Sequence, residues 1–133
     1  MHICAYELME VEMERLTEIF KLLSDETRLR VVMLLAREET CVCEMSGVLG
    51  IPQPKVSKAL SKLRDLGLVN DERKEKYVYY SIKPESKVLL GIAKDILDNI
   101  GDYPQLALDG KNLRFKERYS NSCCVISDEE MIS

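Results

Sequence analysis

A short turn between two helical segments constrains the fold more than any other feature of this sequence. The segment Val42–Leu49 has helical periodicity and is followed by Gly50, a residue that commonly ends a helix. The stretch Ile51–Pro54 contains two prolines and is predicted as a turn. A second helix is predicted from there to Asp65. Two short helices joined by a tight turn form a helix-turn-helix unit.

The segment after this unit has the pattern of a β-hairpin with a basic tip. Leu68–Val69 and Tyr77–Ile82 are rich in β-branched and aromatic residues, and both are predicted as strands around a charged turn at Arg73–Lys76. Elsewhere in a chain such a hairpin would be an ordinary surface feature. Directly after a helix-turn-helix it is a wing, so we predict a mostly α-helical (α+β) fold with a small β-hairpin, the winged helix-turn-helix.

Further helices are predicted on both sides of this unit. Apolar residues from Glu7 to Leu23 have helical spacing, Ser24–Asp25 is expected to cap a second helix through Ala36, and Glu38–Thr40 is expected to be a connection. Apolar residues from Pro84 to Ile100 recur at i, i+3, i+4 and i+7. This stripe is regular enough to be half of a helix–helix interface between two copies of the chain, and it also suits closure of the domain's own core.

The C-terminal part of the chain differs from the rest. Tyr103–Pro104 and Asp109–Gly110 interrupt regular structure, and apolar periodicity is lost. We therefore predict one domain over residues 1–102, and a flexible tail over residues 103–133 that carries the adjacent pair Cys123 and Cys124.

Charge is unevenly distributed along the chain. The net charge is -4, yet from Pro52 to Lys83 there are eight Lys or Arg residues against four Asp or Glu residues. A solvated helix face is the simpler explanation, but a basic face on an acidic body is typical of proteins that bind one limited stretch of DNA. The side chains expected to reach base edges or phosphates come from the second helix and the hairpin: Gln53, Lys55, Ser57, Lys58, Lys62, Arg73, Lys74 and Lys76.

These features predict particular partners. A small protein of this type reads two half-sites with two copies, so we expect a homodimer, formed through the 84–100 helix and the first helix, on near-palindromic double-stranded DNA. No cofactor is expected to be required for DNA binding. No apolar run is long enough to span a bilayer and no signal peptide is evident, so a cytoplasmic protein without membrane contact is expected.

The five cysteines therefore require an explanation other than stable disulfides, because the cytosol keeps thiols reduced. Metal binding or redox chemistry is the better interpretation of Cys41, Cys43, Cys123 and Cys124, and Cys4 is a further candidate ligand. An enzyme is disfavoured, because the single histidine is His2 and no glycine-rich phosphate loop or paired catalytic acids are evident.

The ordered set of motifs resembles the ArsR/SmtB family of metal-responsive repressors over about residues 16 to 100. The similar segments are Leu22–Arg30, Cys41–Met45, Ile51–Lys58, Leu63–Val69 and Tyr77–Ile82. The resemblance implies a winged helix-turn-helix repressor of the arsenical-responsive type, in which Cys41–Met45 corresponds to the arsenic-box core at the start of the third helix.

The sequence departs from the family pattern at three places. Ser46 occupies the position of the third arsenic-box cysteine, and Glu75 stands where the wing turn commonly has glycine. The helix predicted over residues 84–100 has no histidine, in contrast to zinc-sensing members of the family.

The chemistry of the thiols predicts the inducer. Trivalent arsenic and antimony prefer thiolate sulfur, and the start of a helix favours the negative charge of a thiolate at Cys41 and Cys43. Residues i and i+2 of a regular helix point about 200° apart, so one ion reaches both sulfurs only if the first turn unwinds. Because this helix leads into the recognition helix, ion binding is expected to weaken DNA affinity.

Two questions remain open in the sequence. The third ligand is Cys4 or one of Cys123 and Cys124, and the tail pair is slightly preferred. The predicted function is a repressor released by arsenite, antimonite or an organoarsenical. The alternatives are a thiol redox sensor, or a cadmium- or lead-responsive repressor, on the same scaffold.

Overall fold

The structure is a computed structural model that describes residues 5–119, with side chains from residue 12 onward. The candidate ligands Cys4, Cys123 and Cys124 lie outside the described residues. The elements, in chain order, are α1 Ala5–Leu23, α2 Glu26–Arg37, β1 Thr40–Cys41, α3 Val42–Leu49, α4 Gln53–Asp65, β2 Val69–Lys74, β3 Tyr77–Ile82, α5 Lys87–Asp98, a 3₁₀ turn Ile100–Asp102 and α6 Pro104–Leu113. Within this part of the chain no helix is long and apolar enough to cross a membrane.

Helix α2 lies at the centre of the core. Residues Val31–Leu35 are all buried, and α2 packs against α1, α3, α4, α5 and α6. Asp25 begins the helix by accepting a hydrogen bond from the Arg28 N–H at 3.0 Å, which confirms the predicted cap. Burying one leucine or valine side chain contributes about 1.5–3 kcal/mol, so this helix organises the domain.

The helix-turn-helix follows the sequence prediction closely. Helix α3 ends at Gly50, which adopts the left-handed conformation at φ 67° and donates its N–H to the Ser46 carbonyl at 2.9 Å. Helix α4 begins at Gln53, before the end of the predicted turn, because Pro54 occupies a first-turn position where its missing N–H costs nothing. The predicted inward residues of α4 are buried: Val56, Leu60 and Leu63.

The sheet has three antiparallel strands in the order β1–β3–β2. The predicted hairpin is present, but its turn is shorter than expected, since Arg73 and Lys74 belong to β2 and only Glu75 and Lys76 connect the strands. Glu75 adopts φ 58°, so a residue other than glycine holds the left-handed position of this tight turn.

The predicted connection before the third helix is also partly wrong. Thr40 pairs with Tyr80 and Cys41 pairs with Tyr79, so the chain enters α3 as a short strand beside the wing. Two residues are too few to produce a strand pattern in sequence, and the pairing depends on a strand nearly forty residues later.

The predicted flexible tail from residue 103 is wrong for residues 104–113, which form α6. Asp109 of α6 is buried and forms a two-pronged ion pair with Arg30 of α2, with both N–O distances 2.9 Å. Leu113 joins the core. Pro104, read as a break, occupies the first turn of the helix.

Candidate DNA interface and thiol site

Helix α4 presents its polar side chains outward. Lys55, Ser57, Lys58 and Lys62 are exposed and Gln53 is half-buried, while the opposite face packs on the core. Ser61 is exposed one turn after Ser57 and belongs to the same row, although the sequence analysis did not select it. The predicted reading residues therefore share one surface.

The predicted basic residues of the wing differ from one another. Arg73 and Lys76 are exposed. The Lys74 side chain is exposed as well, but its ammonium forms an ion pair with Glu39 at 2.6 Å and lies 5.6 Å from the centre of the Tyr79 ring. The hydrogen bond to Glu39 raises the pKa of Lys74. Lys74 thus connects the wing to the strand that carries Cys41.

Cys41 is the residue that caps helix α3. Its backbone is extended (φ -96°, ψ 166°), so Cys41 lies before the helix, whereas Cys43 lies inside the first turn. The Cys41 N–H donates to the buried Glu44 carboxylate at 3.3 Å, and the Glu44 N–H faces the Cys41 sulfur, as in a capping box. Because Cys41 lies before the helix, its side chain and that of Cys43 are not constrained to point about 200° apart, as residues i and i+2 of a regular helix do.

The expected low pKa at Cys41 is wrong. The side chain is 2% exposed, and burial raises the pKa of the thiol to about 11. Backbone N–H groups of Glu44 and Cys43 lower this pKa, while the Glu44 carboxylate raises it. The pKa is raised because removal from water destabilises the thiolate more than the N–H groups of the first helical turn stabilise it.

Cys43 differs from Cys41 in its bonding. It is half-buried and disulfide-bonded, contrary to the expectation that the cysteines form no stable disulfides, whereas Cys41 is a free thiol. Among residues 12–119 no group of three or more His, Cys, Asp or Glu side chains is arranged to hold a metal ion. A complete three-thiol site therefore needs a cysteine from beyond this range.

Ser46, at the position of the third arsenic-box cysteine, has a structural role. Its hydroxyl donates a hydrogen bond to the Ile51 carbonyl at 2.6 Å, across the turn of the helix-turn-helix. The same turn is held by Arg30, which donates to the Leu49 carbonyl at 2.8 Å while it binds Asp109. The Ser46 bond closes the turn, and the Arg30 bonds connect the end of α3 to α2 and α6.

The sequence analysis missed the contacts of the segment after α6. Lys116 donates to the Glu39 carbonyl at 2.8 Å and lies 3.4 Å from the Glu38 carboxylate. The ring of Tyr119 fills the space where a side chain at Gly47 would begin. Gly47 is one helical turn after Cys43 and shares its face of α3, so the described chain ends against this face. No periodic signal in the sequence predicts these contacts.

Comparison with known proteins identifies the winged unit. Residues 25–71 match the family described as bacterial regulatory protein, arsR family. The chain carries an arsR-family helix-turn-helix domain. This family consists of DNA-binding transcriptional regulators and not of enzymes, in agreement with the sequence analysis.

Two of the curated relatives that the chain is similar to are regulators of metal or metalloid resistance. The chain is 48% identical over 68 residues to the arsenic resistance transcriptional regulator ArsR1 of Pseudomonas putida, which covers 50% of this chain and 53% of that protein. It is 42% identical over 65 residues to the cadmium resistance transcriptional regulatory protein CadC of Listeria innocua, which covers 48% of this chain and 55% of that protein. The chain thus spans about half the length of these relatives.

A solved structure confirms the fold around this domain. Reduced HlyU from Vibrio cholerae superposes with a TM-score of 0.61 at 27% identity, covering 68% of this chain and 93% of that chain. The predicted fold class, mostly helical with a small sheet and a winged helix-turn-helix, is confirmed.

Proposed function

We propose that this protein is a transcriptional repressor that binds near-palindromic double-stranded DNA as a homodimer. The observation that carries the proposal is the outward row of polar and basic side chains on α4, in an arsR-family domain and beside a wing with exposed Arg73 and Lys76. A helix with this composition enters the major groove, and the wing approaches the backbone.

The dimer is proposed from apolar surface on α1 and α5. Met13 and Phe20 lie on one face of α1 and are more than half exposed. Ile92 and Ile96 of α5 are only partly buried. Single exposed apolar residues are common, but two neighbouring stripes on the helices that flank the domain fit a helix–helix interface. We expect Phe20→Lys to yield monomers by light scattering and to lower DNA affinity; a dimeric variant would contradict this interface.

The inducer is proposed to be a trivalent metalloid bound by Cys41, Cys43 and a tail cysteine. Tyr119 packs at Gly47, and Cys123 is four residues further along the chain, a reach of about 13 Å when extended. In the reduced protein, in which Cys43 is a thiol, arsenous acid exchanges three hydroxide groups for three sulfurs, and each thiol proton leaves with a hydroxide as water. The protonated Cys41 thiol is therefore a competent reactant.

The location of Cys41 supports a route from inducer to DNA. The residue caps α3 and pairs with β3 of the wing, so it is held by Glu44 on one side and by Tyr79 on the other. Drawing its sulfur and that of Cys43 onto one ion strains the cap and the strand pairing. Both α3 and β3 are directly connected to DNA-contacting elements, so the bound form is expected to fit DNA poorly.

A thiol redox sensor is the second candidate, favoured by the disulfide at Cys43. Two thiols would form the disulfide and release two protons and two electrons to an oxidant such as hydrogen peroxide, which becomes two molecules of water.

One titration series distinguishes these functions. A duplex is selected in vitro with the reduced protein, and its release is followed by fluorescence anisotropy with arsenite, cadmium or hydrogen peroxide. We expect arsenite to release wild-type protein at the lowest concentration, and Cys41→Ser and Cys43→Ser to bind the duplex but not respond. Cys4→Ser is the matched control and should respond normally. Normal arsenite release from both box variants would contradict the site, and release by peroxide alone would favour the redox sensor.

The third ligand is tested separately by deleting residues 120–133. We expect the truncated protein to bind DNA normally and to bind arsenite more weakly at unchanged stoichiometry, as for one shared site. Loss of one arsenite equivalent would indicate a separate tail site. Unchanged arsenite binding would exclude the tail and favour Cys4.

A further inference from the structure

A basic groove lies between α2 and α4, beside the predicted reading residues. Its volume is about 250 Å³. Six residues line it, three from the start of α2 and three from α4: Asp25, Thr27, Arg28, Lys55, Lys58 and Ala59. The groove therefore combines the N-terminal turn of one helix with the flank of another.

The charges in this groove are not neutralised from within. Lys55 and Lys58 are exposed, and neither forms an ion pair with any residue of the 12–119 range. The carboxylate of Asp25 is engaged as the helix cap with the Arg28 N–H. Three cationic side chains thus face a single capping carboxylate, which leaves the groove strongly positive.

Arg28 is held rigidly at the edge of the groove. Its Nε donates to the Leu22 carbonyl at 2.8 Å, and one terminal nitrogen lies 3.5 Å from the Lys21 carbonyl. These bonds fix the guanidinium plane and leave other N–H groups available, so little conformational entropy remains to be lost on binding an anion.

The polar side chains of α4 fall into two rows. Residues of a helix are about 100° apart, so Gln53, Ser57 and Ser61 form one row. The three lysines of α4 form a second row more than a quarter-turn away, and two of them line the groove: Lys55, Lys58 and Lys62. The hydroxyl and amide row suits hydrogen bonds to base edges, whereas the lysine row suits phosphate.

We infer that the groove between α2 and α4 binds a backbone phosphate of the DNA duplex, through Lys55 and Lys58 of α4 together with Thr27 and Arg28 of α2. The inference rests on the proposed DNA-binding function and adds α2 to the interface. Phosphate contacts position the protein without reading sequence, so this groove sets affinity and register, and the Gln53–Ser57–Ser61 row sets specificity.

The test compares a duplex selected in vitro with a random-sequence duplex of equal length, over a series of salt concentrations. Lys55→Gln is expected to lower the salt slope by about 0.9 and to leave the affinity ratio of the two duplexes unchanged. Thr27→Glu, which places a like charge in the groove, is expected to weaken both complexes about fivefold. Ser57→Ala should change the affinity ratio instead.

A control variant makes a matched charge change on α5, whose residues do not line the groove: Lys94→Gln. If Lys55→Gln and Thr27→Glu behave like this control, the groove binds no phosphate and the inference is wrong. A changed affinity ratio in Lys55→Gln would likewise overturn it, because Lys55 would then read bases. If wild-type protein selects no duplex, the proposed function itself fails.

Discussion

The proposed reading surface of α4 and the proposed sensor segment, residues 38–43, are built in opposite ways. The lysines of the reading surface are exposed and form no ion pairs with the described residues. The sensor segment is held by strand pairing with β3, a capping box, and ion pairs to Lys74 and Lys116. The lysines of α4 are thus not held by ion pairs to the described residues, whereas the 38–43 segment is held by several contacts within the fold. Substitutions should therefore change binding in the first region and stability or coupling in the second.

The largest change in stability is expected at the ion pair between Asp109 of α6 and Arg30 of α2. Asp109→Asn leaves the nearly buried Arg30 without its counter-charge and should destabilise the fold by about 3 kcal/mol, measured by urea unfolding. Lys62→Gln on the reading surface should leave stability unchanged. The double variant Arg30→Met with Asp109→Leu should recover part of the loss, because no uncompensated charge remains. Equal stability of Asp109→Asn and wild type would show that α6 is not part of the support.

The buried thiol of Cys41 predicts a pH dependence of stability. Its pKa is raised from 9.0 to about 11 in the fold, so the unfolded chain loses this proton first and stability falls as pH rises from 9 to 11. Over that interval the wild type should lose about 2 kcal/mol more than Cys41→Ser. Parallel stability curves for the two proteins, from denaturant unfolding at several pH values, would mean that the thiol is not buried in solution.

The wing contains one lysine that resembles the α4 lysines and one that belongs to the contacts of the 38–43 segment. Lys76 is exposed, whereas Lys74 is paired with Glu39 of the sensor segment. Lys76→Gln should reduce the salt slope of DNA binding by about one unit. Lys74→Gln should change the slope less and should alter the arsenite concentration that releases DNA, with little effect on stability because the ion pair is exposed to solvent. If the two variants have the same salt slope and the same arsenite response, both lysines contact DNA and Lys74 has no separate role in sensing.

The smallest effect is expected at the wing turn. Glu75→Gly removes the side chain at a φ of 58° and should stabilise the hairpin by about 0.5 kcal/mol, since relief of left-handed strain exceeds the added backbone entropy. Thermal unfolding measures the gain. A loss of stability would indicate that the Glu75 side chain itself supports the wing.

The local signals of the sequence were sufficient for much of the fold. Apolar periodicity, with Gly50 and the prolines around Gln53, located α3, the turn and α4, because each signal acts within one or two helical turns. The order of helix, turn, helix and hairpin then determined the fold class. The arrangement of Lys55, Ser57, Lys58 and Lys62 on one exposed surface followed from the same helical spacing.

The tertiary structure alone decided the features that depend on distant residues. Strand β1 exists because β3 lies beside it, and α6 is held by Arg30, which is 79 positions earlier in the chain than Asp109. The protonation of Cys41 depends on burial, and helix position alone predicted the opposite direction. Local pattern determines which residues form a helix, but desolvation and pairing depend on which other residues pack against it.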